Sequence, residues 1–108
     1  MGDNRRKTEL IRRDLRKAHD DLETAEINLA AAKHRGAVNR AYYSIFHATE
    51  AVLLWHNIER SKHSGVESAF AAKLVKPKLI ESEYFDIFRA SRELREDQDY
   101  ERLIESVS

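Results

Sequence analysis

Five polar side chains recur along one face of an otherwise apolar segment, and they are Asn39, Arg40, Tyr43, His47 and Glu50. Arg40 and His47 are seven residues apart with Tyr43 between them, so a helix places these three on one side. Arginine forms paired hydrogen bonds to phosphate, and tyrosine stacks on nucleic-acid bases. The pattern therefore predicts a site that holds a phosphate or a base.

A second interpretation of the same residues is structural. Polar groups on an apolar helix are costly to bury unless they are paired. Arg40, Tyr43 and His47 would then satisfy one another and the charges of the fourth helix. The two interpretations can be distinguished by geometry. A binding site requires the three side chains to line an open cleft, whereas internal pairing requires the first or fourth helix to cover them.

The histidines do not follow the spacing of metal-binding helix bundles, in which a glutamate precedes a histidine by three residues. Only the reverse order occurs, in His47 with Glu50 and in His56 with Glu59. We therefore expect neither a metal site nor a cofactor. His63 comes just before a capping pattern formed by Ser64 and Glu67. Its simplest interpretation is a loop residue, and the alternative is a contact with an anion at the helix start.

Composition places these residues in a helical protein. The chain of 108 residues has three glycines, one proline and no cysteine, which leaves few turns for a β-sandwich and excludes disulfides and thiolate chemistry. No apolar run approaches the roughly 18 residues of a membrane span. The basic start lacks the apolar stretch of a secretion signal. We expect one domain in the cytoplasm.

The neutral net charge conceals a gradient along the chain. Residues 1–20 carry seven basic and four acidic side chains, whereas residues 81–108 carry four basic and nine acidic ones. The two ends are therefore opposite in sign although the total is zero. A local basic cleft that binds phosphate in a salt-sensitive way is compatible with this balance.

Hydrophobic periodicity predicts a long first helix from about Thr8 to His34. It carries a heptad stripe, which requires a partner helix at a shallow angle. The members of the stripe are Ile11, Leu15, Ala18, Leu22, Ala25, Leu29 and Ala32. Gly36 is expected to end this helix. Residues 1–7 are predicted to be a flexible basic segment, and residues 8–108 a single helical domain.

The remaining pattern completes an all-α, up-and-down bundle of four helices, or five with a short last one. A mostly apolar second helix is predicted from about Ala37 to His56, and a short third helix near Val66–Val75. The fourth begins near Ser82, and the tail after Tyr100 is too poor in apolar residues to define a helix securely. Because the third helix is short, we expect an apolar face that a second subunit covers.

Three segments taken together resemble the HEPN domain family, specifically its small stand-alone prokaryotic members. They are residues 39–48 (NRAYYSIFHA), residues 63–66 (HSGV), and Leu94 and Arg95 followed by Asp99 and Tyr100. The resemblance covers residues 8–100. It implies a helical bundle, usually homodimeric, that associates with nucleotides or RNA. It also implies a nucleotidyltransferase partner in a toxin–antitoxin arrangement. The candidate ligand-binding set is Asn39, Arg40, Tyr43, His47, His63, Arg95 and Asp99.

Many members of this family are metal-independent ribonucleases, whose motif is an arginine followed within a few residues by a histidine, near the end of a late helix. Arg95 matches the arginine, but no histidine follows it in this sequence. The spacing of Arg40 and His47 is similar, which we interpret as a coincidence because they lie on the second helix. The sequence therefore favours a binding module without enzymatic activity. The alternatives are a ligand-free dimerisation or interaction module and a ribonuclease.

The family also continues into a further helix beyond the point where this sequence stops, at Ser108. The resemblance therefore implies that residues 8–108 form a bundle without its last helix.

Overall fold

The computed structural model describes the backbone of residues 2–59 and 63–107, and the side chains of residues 4–59, 65–101 and 103–105. Its α-helices are α1 (Gly2–Ala30), α2 (His34–Trp55), α3 (His63–Phe70) and α4 (Ser82–Val107). A π-helical turn, Ala71–Val75, extends α3. The described ranges contain no strand, so the predicted all-α bundle is confirmed. No helix in these ranges combines the length and the apolar character needed to cross a membrane.

The first helix begins earlier than its periodicity predicts. Residues 2–7, for which the sequence indicated a flexible segment, continue α1. The apolar stripe starts only at Ile11, so its pattern could not mark the turns before it. Lys7 lies over the ring of Trp55, with its ammonium 5.5 Å from the ring centre. This contact joins the start of α1 to the end of α2.

The turn between α1 and α2 is made by an alanine and not by the predicted glycine. Ala32 has a φ of 59°, and the N–H of Lys33 donates to the carbonyl of Asn28 at 2.7 Å. Gly36 lies inside the first turn of α2, so its prediction as the end of α1 is wrong. A Cβ atom at Gly36 would lie 2.8 Å from Nδ2 of Asn28, so glycine lets this amide approach α2 closely.

The long antiparallel hairpin of α1 and α2 is the main support of the fold. Within the heptad stripe, Ala18 and Ala25 are buried against α2, because their small side chains allow close packing. Leu15, Leu22 and Leu29 on the same stripe remain 50%, 47% and 60% exposed. The reason is that α4 packs on α2, α3 and the π-helical turn, and makes no contact with α1 in the described structure.

The core lies between α2, α3, the π-helical turn and α4. Its largest fully buried side chains are Tyr42, Leu53, Val66, Leu74 and Phe88. The helix α3 begins at His63, which places Ser64 in its first turn and not at the predicted capping position. Glu67 instead accepts a hydrogen bond from Nε of Arg92 at 2.9 Å, which fastens α3 to α4. The helix α4 continues through the tail to Val107, beyond Tyr100, where the sequence left it undefined.

Candidate functional site

An open cleft of about 430 Å³ lies where the hairpin and α4 diverge. Because α4 contacts α2 but not α1, α2 forms the base of the cleft and the other two helices its sides. Polar side chains and one glycine line it, and they are Thr24, Asn28, Arg35, Gly36, Asn39, Arg40, Arg95, Gln98 and Asp99. Four of the predicted residues therefore meet here: Asn39, Arg40, Arg95 and Asp99.

Two arginines from different helices converge on one tyrosine at this cleft. The guanidinium carbon of Arg40 lies 5.1 Å from the ring centre of Tyr43, and that of Arg95 lies 5.8 Å from it. Arg95 also lies 4.5 Å from the ring centre of Tyr42, which is fully buried. The faces of aromatic rings attract cations, so these rings hold both guanidinium groups at the cleft. Tyr43 thus supports the cleft from below and does not line it.

Arg40 is further held by polar contacts along the hairpin. Its Nη1 donates to Oδ1 of Asp21 at 3.0 Å, and its Nη2 and Nε donate to Oδ1 of Asn39 at 2.7 and 3.2 Å. A guanidinium has five N–H donors. Three are used in these contacts and two are not. Arg40 is therefore paired within the hairpin and also lines the cleft.

Arg95 is left with unmet hydrogen-bonding capacity. Its Nε is buried without a hydrogen-bond partner in the described structure. Arg95 and Asp99, four residues apart on α4, do not form an ion pair within 4.0 Å, although both side chains are described and line the cleft. A guanidinium held on aromatic rings and not neutralised by a carboxylate is a strong candidate for binding phosphate.

The start of α2 is tied to the second half of α4 beside the cleft. Arg35 forms an ion pair with Glu105 at 3.1 Å, and Nε2 of Gln98 approaches the carbonyl oxygen of Arg35 at 3.5 Å. These contacts join the two helices at this end of the cleft. Sequence reasoning missed Arg35 and Gln98. Gln98 follows Arg95 by one helical turn and could have been found from that spacing, whereas nothing in the local pattern singles out Arg35.

His47 does not join the cleft, although it shares a face of α2 with Arg40. Its Nδ1 lies 2.9 Å from Oε1 of Glu50 and 4.0 Å from Oδ1 of Asp14, and its Nε2 lies 3.8 Å from Oδ2 of Asp21. The predicted internal pairing therefore describes His47 correctly in part. Its partners come from α1 and α2, however, and not from the fourth helix.

Burial raises the pKa of two carboxyl groups beside His47. Burial raises the pKa of Asp14, against the attraction of His47, Arg13 and Lys17. Burial likewise raises the pKa of Glu50, against its hydrogen bond with His47. His63 cannot be placed relative to either site, because its side chain lies outside the described residues.

Comparison with known proteins adds a family match to this geometry. The family model described as "HEPN domain" matches residues 11–106. A protein of Methanocaldococcus jannaschii named "Putative toxin" is 41% identical over 99 residues, which cover 84% of this chain and 74% of that protein. A "UPF0332 protein" of Thermotoga maritima is 36% identical, covering 83% and 68% respectively. A second M. jannaschii protein of the same toxin name is 35% identical, covering 84% and 62%. No solved structure matches the chain.

Proposed function

Since the chain belongs to the HEPN domain family, we propose that it is a toxin-like HEPN module that binds nucleotide or RNA phosphate in the cleft between α1, α2 and α4. The toxin names of two relatives support the toxin-like character. Binding of nucleotide or RNA and a cytoplasmic location of the protein are our proposals.

The convergence of Arg40 and Arg95 on Tyr43 carries this proposal. Holding two positive groups beside one ring is unfavourable unless anions offset their repulsion. Asp21 supplies one negative charge, to Arg40. Arg95 has no ion pair with a described residue. A phosphate at the cleft would supply the missing negative charge and accept hydrogen bonds from both arginines.

The other lining residues suit the sugar and base of a nucleotide. Asp99 offers a carboxylate that accepts hydrogen bonds from ribose hydroxyl groups, and Asn39 and Gln98 offer amide groups that donate and accept. The volume of about 430 Å³ lies within the range of roughly 300–1,000 Å³ typical of small-ligand sites. The cleft therefore has the size of a small-ligand site, such as one for a nucleotide.

A binding titration with matched arginine variants tests the proposal. Fluorescently labelled short RNAs and single nucleotides are titrated at about 50 and 200 mM salt. We expect Arg40→Ala and Arg95→Ala each to weaken binding roughly tenfold or more, because hydrogen bonds to charged groups contribute about 1.5–3 kcal/mol. Arg89→Ala is the control, since Arg89 pairs with Glu93 on the exposed side of α4. Absence of binding at low salt, or equal losses in all three variants, would refute the proposal.

A second proposal concerns self-association. An apolar groove of about 410 Å³ lies on the other side of α2, between α2, the end of α3, the residues just before α4, and α4 itself. It is lined by Ile45, Ala48, Val52, Ile80, Tyr84 and Ile87, and the last two are more than half exposed. Exposed apolar surface of this kind is typical of protein interfaces. We propose that a second copy of the chain covers it, in the homodimer that the family resemblance implies.

The geometry of the cleft lends less support to two other expectations of the family resemblance, ribonuclease activity and a nucleotidyltransferase partner. No histidine is among the described residues that line the cleft, so a ribonuclease reaction there lacks the usual proton donor and acceptor. A nucleotidyltransferase partner stays a proposal, tested by co-purification with the product of the neighbouring gene. A ligand-free interaction module remains the alternative, and the RNA titration distinguishes it from the binding module.

A further inference from the structure

A second cluster of polar groups lies inside the α1–α2 hairpin, apart from the residues that line the cleft. Asp14 comes from α1, and His47 and Glu50 come from adjacent turns of α2. One potential ligand atom of each lies within 4.8 Å of the others. From Nδ1 of His47, the distance is 2.9 Å to Glu50 and 4.0 Å to Asp14. Tetrahedral coordination with metal–ligand bonds of about 2.0–2.2 Å places the ligand atoms about 3.3–3.6 Å apart, between these two distances.

Asp14 provides an independent reason to expect a ligand. The residue is only 5% exposed, and no hydrogen bond among the described residues reaches its carboxylate. Its nearest ionisable partner is Nδ1 of His47 at 4.0 Å, and that nitrogen is already within hydrogen-bonding distance of Glu50. A buried carboxylate without such a partner is costly. A cation bound between the three residues would remove this cost.

Asp21 lies behind the imidazole, where a supporting carboxylate is expected. Its Oδ2 is 3.8 Å from Nε2 of His47, and its Oδ1 accepts the hydrogen bond from Arg40. Histidines that bind metals usually present their second nitrogen to such a carboxylate, which fixes the tautomer and the ring orientation. A bound metal ion would take the lone pair of Nδ1 in place of the proton shared with Glu50, and Nε2 would then carry the ring N–H on the side of Asp21.

We propose that Asp14, His47 and Glu50 bind a divalent transition-metal ion of the Zn²⁺ class, with Asp21 as the positioning residue for the imidazole. One imidazole and two carboxylates form a ligand set suited to such ions. A cavity of about 140 Å³ borders Asp14 and Glu50 and leaves room for water to complete the coordination. The sequence argument against a metal site looked for a glutamate and a histidine three residues apart on each of two helices. Here α2 supplies His47 and Glu50, and α1 supplies only one ligand, Asp14. The proposal does not depend on the cleft, because none of the three ligands lines it.

Titration of untagged, metal-free protein with Co²⁺, a spectroscopic substitute for Zn²⁺, tests the proposal. We expect one Co²⁺ per chain with visible absorption bands, and displacement by Zn²⁺. His47→Ala and Glu50→Gln should abolish these bands. Asp21→Asn should weaken binding by about 10–100-fold, the usual effect of removing a supporting partner.

His19→Ala is the matched control. His19 lies on α1 beside Glu23 at 4.0 Å, in the same pairing of imidazole and carboxylate, but both side chains are exposed. This variant should bind Co²⁺ like the unaltered protein. If His47→Ala fails to fold by circular dichroism, Glu50→Gln decides the outcome, because it preserves the size of the side chain. Absence of Co²⁺ binding at about 1 mM, or an equal loss in His19→Ala, would overturn the proposal.

Discussion

The guanidinium carbon of Arg95 lies 4.5 Å from the ring centre of the fully buried Tyr42, so a cation of α4 is seated on the core of α2. This contact brings Arg95 to the cleft beside Arg40. It also explains why a residue with a buried Nε and no ion pair in the described structure is tolerated. The π face of the tyrosine replaces part of the lost hydration.

Arg95→Lys tests whether the shape of the guanidinium matters beyond its charge. Lysine retains the positive charge but loses the planar group that stacks on Tyr42 and forms paired hydrogen bonds. We expect RNA or nucleotide affinity to fall roughly fivefold or more in fluorescence titrations. Arg89→Lys, at an exposed position on the same helix, should leave affinity unchanged. Equal affinity in both variants would show that charge alone is required.

Tyr43 is predicted to act through its ring and not through contact with the ligand. Tyr43→Leu removes the surface over which Arg40 and Arg95 lie, whereas Tyr43→Phe preserves it. Since a cation–π contact is worth about 0.5–2 kcal/mol, the leucine variant should bind roughly 2- to 30-fold more weakly than the phenylalanine variant. The same titration measures both. Stronger loss in Tyr43→Phe would indicate that the hydroxyl group is the important part.

The pairing of Arg92 with Glu67 should contribute to stability. Arg92 joins α4 to α3 through bonds of 2.9 and 3.2 Å to Glu67, and both side chains are largely shielded from water. Arg92→Ala should lower the free energy of unfolding by about 1–3 kcal/mol in urea denaturation. Arg89→Ala should cost less than about 1 kcal/mol, because its pair with Glu93 is exposed. A similar loss in both variants would contradict this assignment.

Asp14 is predicted to destabilise the metal-free protein at neutral pH. Because burial raises its pKa, the folded protein holds the charged carboxylate less favourably than the unfolded chain does. Asp14→Asn should therefore raise the free energy of unfolding, measured by urea denaturation in the presence of a chelator at pH 7.

The pH dependence of this gain provides its control. It should disappear as the pH falls below the pKa of an unfolded aspartate, where Asp14 is neutral in both states. Adding Zn²⁺ should stabilise the unaltered protein and not the Asp14→Asn variant. Destabilisation by Asp14→Asn in the metal-free protein would show that the buried carboxylate is favourable without an ion.

Ile87→Asp tests the proposed homodimer. Ile87 is 53% exposed at the apolar groove, so a carboxylate there would remain hydrated in a monomer but would be desolvated in a dimer. We expect light scattering to give a dimer mass for the unaltered protein and a monomer mass for the variant. Leu15→Asp, at a similarly exposed position on α1, is the control and should stay dimeric. A monomer mass for the unaltered protein would contradict the proposal.

Most of the secondary structure could be predicted because it depends on local periodicity. The apolar positions of α2 and the acidic first turn of α4 identify those helices without reference to the rest of the chain. The helix boundaries were harder. Ala32, and not Gly36, adopts the left-handed conformation between α1 and α2. Gly36 instead allows the close approach of Asn28, which depends on packing between two helices and is therefore not visible in local periodicity.

The sequence by itself determined the helical class, the family resemblance and the shared face of Arg40, Tyr43 and His47. Only the tertiary structure decided that Arg40 lines the cleft while His47 lies in a separate cluster of carboxylates. The packing of α1 on α2 surrounds His47 with carboxylates, while α4 brings Arg95 to Arg40. The physical reason is that helical periodicity specifies direction around one axis, whereas the partners of a side chain depend on where the neighbouring helices lie. Those positions follow from burying the common core around Tyr42 and Phe88, which no local pattern encodes.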